Sequence, residues 1–150
     1  MKKIPVAAAA TILFSISSNS GVGAGERTLK TFVDASSGVT TDRLGAEGGS
    51  ASIVVFNQRL LDEKGGHLGS NSGFCIRTAP GFSECQWTLV LTDGSITVAG
   101  REANAGTSFI PIIGGTGAYL GASGVMATAP GANKTFTQSL TFSAGAAAPQ

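Results

Sequence analysis

From Thr28 onward, apolar and polar positions alternate in short segments separated by turn residues. In Ser83–Thr92 (SECQWTLVLT), Cys85, Trp87, Leu89 and Leu91 share one parity, while Glu84, Gln86 and Thr88 take the other. That period of two is the signature of a strand with one buried face. Comparable segments fall at Thr28–Asp34, Ser52–Leu60, Ser72–Thr78, Ser95–Gly100, Thr107–Ile113, Ala118–Thr128 and Lys134–Phe142. Several are dense in β-branched residues. The regular spacing predicts an all-β domain, either barrel or sandwich.

Two hairpins can be located. Thr92-Asp93-Gly94-Ser95 places Asp-Gly between apolar strands, which predicts a type I′ turn. Ala79-Pro80-Gly81-Phe82 separates another pair, and a pairing symmetric about Pro80 sets Cys75 opposite Cys85, Gly73 beside Trp87 and Arg77 beside Ser83. A slip of one residue would reverse every face. Between Ser52–Leu60 and Ser72–Thr78, Asp62–Gly69 reads as a polar turn region carrying His67, the single histidine.

The stretch FIPIIGGTGAYLGASGVM, Phe109–Met126, holds the densest glycine cluster, Gly114-Gly115-Thr116-Gly117. A phosphate-cradling turn is one reading, but such a fingerprint opens a βαβ unit, and no amphipathic helix follows here. The alternative is a sharp packed corner between two strands, with positive φ and close backbone approach.

Composition narrows the choice of function. Charged residues are 13% of the 150-residue chain and the formal net charge is +1, so there is no basic face for nucleic acid. Glycine reaches 22 residues without a collagen period. No HExxH, paired CxxC, GxSxG or P-loop occurs, which argues against hydrolase, zinc and kinase chemistry. Met1–Ala24 has a Lys2-Lys3 head, an apolar run over Ile4–Ile16 and small residues at Val22-Gly23-Ala24. It reads as a secretory signal too short to span a membrane, so the expected product is secreted or periplasmic, without stable membrane insertion. The division is therefore signal 1–24, a single domain 25–142, and a mobile small-residue tail 143–150.

The order FNQRL (Phe56–Leu60), SGFC (Ser72–Cys75), a DG turn, ITVAG (Ile96–Gly100) and GGTGAYLGASG (Gly114–Gly124) resembles the allene oxide cyclase and dirigent superfamily. The likeness runs from about Thr28 to Phe142. It implies a single closed antiparallel barrel of about eight strands enclosing a ligand cavity. It also implies an apolar small-molecule guest, no cofactor, no metal, and a homotrimer. Allene oxide cyclases steer a fatty-acid epoxide into a cyclopentenone, and dirigent proteins steer phenoxy-radical coupling. In both, orientation of a reactive guest carries the advantage. The chain thus reads as an exported barrel that binds an apolar molecule and is a candidate cofactor-free cyclase or isomerase. The alternative is a non-catalytic ligand-binding or dirigent-like stereo-directing protein.

By the same resemblance, Cys75 matches a pocket cysteine of the plant cyclases, and Asn57 or Gln58 matches their pocket asparagine. The cyclases' first-strand glutamate and asparagine have no counterpart within Lys30–Gly38, where Asp34 is the one acid, as in dirigent proteins. The dirigent arginine is absent, with Ala122-Ser123-Gly124 in its place. Asp34, Asn57 and Gln58 are therefore the candidate catalytic groups. Trp87, Leu89 and Leu91 are the candidate apolar lining, and Arg77 is either an anchor for a carboxylate or a rim residue in water. Asp34 is either a polarising group or a solvated strand-end carboxylate. Cys75 and Cys85, opposite across a hairpin of an exported chain, predict a disulfide, which would remove Cys75 as a pocket thiol.

Overall fold

The computed structural model describes residues 25–39 and 52–145. Met1–Ala24 lies outside them, as do the last five residues of the tail. Eight strands follow one another: β1 (Arg27–Val39), β2 (Ile53–Leu61), β3 (His67–Ala79), β4 (Phe82–Leu91), β5 (Gly94–Ala103), β6 (Ser108–Gly117), β7 (Ser123–Pro130) and β8 (Thr135–Ser143). Each pairs antiparallel with the next, and β8 returns to β1, closing the barrel. Closure leaves no sheet edge to pair with another chain. The all-β closed barrel of eight strands expected from the sequence is what forms.

The β3–β4 hairpin has the register that symmetry about Pro80 predicts: Gly73 pairs with Trp87, Cys75 with Cys85 and Arg77 with Ser83. Pro80 and Gly81 form the turn, Gly81 taking φ +79°, a conformation in which glycine carries no steric cost. Cys75 and Cys85 are joined as a disulfide.

Other expectations are corrected. The β4–β5 turn is Thr92-Asp93, one residue earlier than Asp-Gly. It is not type I′, because neither residue has positive φ. Gly94 is instead the first residue of β5, at φ +151°, where a Cβ would fall 2.1 Å from the Thr116 carbonyl oxygen. Gly114–Gly117 is not a corner but the end of β6, paired with Gly94–Thr97 beyond a bulge. The chain turns later, at Ala118–Gly121, so β7 begins at Ser123 rather than Ala118. The segment read as a polar turn is shorter too, since His67 already belongs to β3.

The register of β2 to β5 stacks inward-facing residues in levels. Gln58, Asn71, Leu89 and Ile96 form one, Phe56, Gly73, Trp87 and Val98 the next, and Val54, Cys75, Cys85 and Gly100 the third. Arg77, Ser83 and Glu102 form the rim. The opposite end is filled. Leu60, Leu89, Ile96, Ile110, Met126 and Leu140 are fully buried there, each contributing about 1.5–3 kcal/mol of transfer free energy. Tyr119 packs on Phe142 with ring centroids 6.0 Å apart, and the Arg27 guanidinium stacks over both rings while Nη1 donates to the Ala118 carbonyl at 2.8 Å. β8 runs to Ser143, and the Gly145 amide donates to the Leu120 carbonyl at 2.9 Å.

Candidate functional site

Large side chains fill one half of the barrel, so the space left inside is at the other. A cavity of about 320 Å3 opens near the β3–β4 and β5–β6 turns. That volume lies at the compact end of small-molecule sites. Val33, Val54, Phe56, Trp87 and Phe136 make its apolar surface. Phe56 and Trp87 meet edge to face, with centroids 6.3 Å apart and planes at 64°. The indole has room because its cross-strand partner is Gly73, where a Cβ would fall 2.3 Å from that of Trp87.

A polar wall faces this aromatic corner. Ser108, Thr128, Gln138 and Thr31 lie side by side across β6, β7, β8 and β1, and all four are buried. The Thr31 hydroxyl donates to Gln138 Oε1 at 3.1 Å, and the Ser108 hydroxyl accepts the Ala103 amide at 2.9 Å. Thr128 and Gln138 reach the cavity surface, joined by Gln58 and Asn71 from β2 and β3. Two buried polar atoms here have no partner among the described residues: Asn71 Oδ1, an acceptor, and Trp87 Nε1, a donor. An unsatisfied buried polar atom costs about 1–3 kcal/mol, so both are poised to gain from a bound polar group.

At the rim, Arg77 and Glu102 flank Ser83, each one strand away. The Lys30–Glu63 pair is the one ion pair among the described residues, so Glu102 and Arg77 do not neutralise each other. Glu102 leans over the disulfide, its Oε2 at 3.6 Å from Cys85 Sγ and 3.9 Å from Cys75 Sγ. Bridged sulfurs carry no proton, so a hydrogen bond arises there only when Glu102 itself is protonated. Burial raises its carboxyl above the ordinary range, because desolvation penalises the charged form. The three groups do not form a metal centre, since disulfide sulfurs are not thiolate ligands.

The residues singled out from the sequence divide between inside and outside. Gln58, Arg77, Trp87 and the bridged Cys75 line the cavity. Asn57 has the opposite parity to Gln58, and it accepts the Ser72 hydroxyl at 2.9 Å in an exposed pair. Asp34 follows the inward-facing Val33 and is also off the cavity. It accepts the Ser36 hydroxyl at 2.6 Å and the Ser36 amide at 3.0 Å, and the Ser36 hydroxyl bond chiefly holds its carboxyl below the usual value. Leu89 is packed in the filled half, with Leu91 against the same core, and neither lines the cavity. Glu102, Asn71 and Gln138 were not singled out from the sequence. Parity carried two residues past Gly100, from Ile96 and Val98, would have placed Glu102 inside.

The sequence matches the family described as Allene oxide cyclase barrel like domain over residues 35–141. Against curated proteins it gives no significant match. Among solved structures, a pyocyanin demethylase is similar at 20% identity and TM-score 0.66, the alignment covering 78% of this chain and all of the other. The pterocarpan synthase dirigent protein PsPTS1 is similar at 14% identity and TM-score 0.63, over 82% of this chain and 97% of that one. The intermolecular Diels-Alderase AbnU is similar at 15% identity and TM-score 0.64, over 79% and 98%. These likenesses agree with the closed barrel, and the match over residues 35–141 carries the assignment. The chain belongs to the allene oxide cyclase barrel-like family.

Proposed function

We propose that this protein is an exported barrel that binds a compact, largely apolar molecule in its open half and steers a cyclisation or isomerisation of it. The observation that supports this most directly is the cavity itself, whose aromatic and aliphatic surface carries two unpartnered polar atoms, Asn71 Oδ1 and Trp87 Nε1. Such a site holds one conformation of a flexible guest and shields it from water. When the guest is already reactive, orientation alone contributes several kcal/mol, within the range of about 7–11 kcal/mol available to well-placed reactants. Phe56, Trp87 and Phe136 would grip the guest, while Gln58, Asn71 and Gln138 would fix its polar points. Arg77 would anchor a carboxylate at the mouth. Glu102, whose burial favours the neutral acid, is the group suited to lend a proton to a developing oxyanion and recover it afterwards. A Diels-Alderase and a pterocarpan synthase dirigent protein on similar barrels are consistent with this chemistry. The Cys75–Cys85 bridge suits an oxidising compartment, in keeping with an export signal at 1–24.

The outward position of Asp34 favours a second reading. The first-strand acid called for by the resemblance does not reach the cavity, so the barrel would bind without catalysing. The two readings separate on stereochemistry. Purified barrel is incubated with an enzymatically generated allene oxide, and separately with coniferyl alcohol and a one-electron oxidant. An enantiomeric excess in either product that falls in Glu102→Gln supports steering with proton transfer. Racemic products in both, alongside saturable binding of an apolar probe, support the binding protein.

A further inference from the structure

Glu102 presents a carboxyl group to the cavity, and among the described residues its ionised form has no countercharge there. The neighbours that could supply one are few. Among the described residues that line the same cavity, Arg77 is the one basic side chain, and it forms no ion pair with Glu102. Ser83 stands between them in the register, and the disulfide lies beside Glu102. The remaining polar lining, Gln58, Asn71, Asn104, Thr128 and Gln138, is neutral. A half-buried carboxylate left in this state is costly, and a cationic donor is what relieves it most.

The rest of the cavity suits such a donor when it is carried on a flat ring. Phe56, Trp87 and Phe136 offer ring faces and edges, and aromatic faces attract organic cations by about 0.5–2 kcal/mol. Asn71 Oδ1 adds an unpartnered acceptor further inside. Its level is three below the rim, so an acceptor at depth and a carboxylate at the mouth bracket the aromatic surface. An aliphatic chain would leave both unanswered. A small aromatic system with a basic nitrogen answers Glu102 directly, and a further N–H or O–H on the ring system answers Asn71.

Resting on the reading of this cavity as the guest site, we infer that its guests are compact aromatic or heteroaromatic molecules bearing a basic nitrogen, with that nitrogen held against Glu102. The guest class is thereby separated from the neutral polyenes that an unadorned apolar pocket would equally accept.

The test uses a pair matched in shape, 4-aminoquinoline and 1-aminonaphthalene, which differ by a ring nitrogen for a CH and hence by a positive charge at neutral pH. Each is titrated calorimetrically into the folded protein and into Glu102→Gln, an isosteric change. The expected result is a preference of about tenfold or more for 4-aminoquinoline in the wild type, falling close to parity in the variant. Equal affinities in the wild type overturn the inference while leaving the cavity as a guest site. A preference that survives in Glu102→Gln also overturns it. Binding of neither compound to the wild type contradicts the cavity reading together with the inference. Equal wild-type affinities overturn the inference even if the variant folds poorly.

Discussion

Glu102 and Trp87 carry most of the site's character, the first through its burial and the second through the residue that faces it. Trp87 can project across the cavity because Gly73 faces it, so Gly73→Ala should disturb the wall. The added Cβ would press on the Gln86 carbonyl at 2.2 Å as well as on Trp87. A loss of about 1–3 kcal/mol in urea unfolding, with a changed Trp87 emission maximum, is expected. Glu102 lends a pH dependence whose sign follows from its raised carboxyl. The folded chain holds the proton more tightly than the unfolded chain. This contribution is therefore complete below the ordinary carboxylate range and is lost as pH rises through the elevated value. Asp34, whose carboxyl is lowered, acts in the opposite direction, so the quantity to read is the difference between wild type and Glu102→Gln. Their unfolding free energies should diverge in the variant's favour as pH climbs above the ordinary carboxylate range. Parallel profiles would show that Glu102 is not desolvated as described.

At the scale of elements, the β3–β4 hairpin and the β5–β6 pairing show what a sequence exposes and what it conceals. Pro80-Gly81 is a turn with a physical reason at each position, and once its centre is known the cross-strand partners follow by counting. The disulfide was legible for that reason. Removing it with Cys75→Ser and Cys85→Ser should cost about 2–3 kcal/mol, near the lower end for disulfides because it closes a short loop. An unchanged denaturation midpoint would contradict this. Gly114–Gly117 was harder to read, because glycine marks close approach as well as turns. Gly115 has no positive φ, yet a Cβ there would lie 2.4 Å from the Tyr119 carbonyl oxygen, whereas at Gly114 nothing lies within 4 Å. Gly115→Ala should therefore be destabilising by about 1–3 kcal/mol. Gly114→Ala should fall within about 0.5 kcal/mol of wild type. The polar lining was concealed differently. Glu102 stands beyond the point where apolar alternation stops, and Gln138 is a polar residue in the inward series Phe136, Leu140, Phe142. Alternation locates a buried face by its apolar members, so a functional polar residue on that face breaks the very pattern that would reveal it.

The whole molecule is a barrel packed at one end and open at the other, with its inward side chains large where Leu60, Leu89, Ile110 and Met126 sit and small or polar toward the mouth. The outer surface is uneven as well. Phe109 is 70% exposed and Ile113 57%, and with Pro111 and Val125 they make an apolar strip on β6 and β7. If this strip mediates the homotrimer that the resemblance implies, Phe109→Ser should shift the sedimentation coefficient toward monomer at micromolar concentration. A monomeric wild type would remove the trimer from the account. The strip also gives an apolar probe somewhere else to go, so the central claim, that guests occupy the open half of the barrel, needs a measurement that tells inside from outside. Fluorescence titration with the neutral probe N-phenyl-naphthylamine does so when wild type is compared with Ser83→Phe. Ser83 stands at the rim between Arg77 and Glu102, and a phenyl group there obstructs the mouth. One saturable site in the wild type, lost in Ser83→Phe with the thermal midpoint unchanged, is the predicted result. Equal probe binding by both proteins would place the guest outside the barrel and contradict the account.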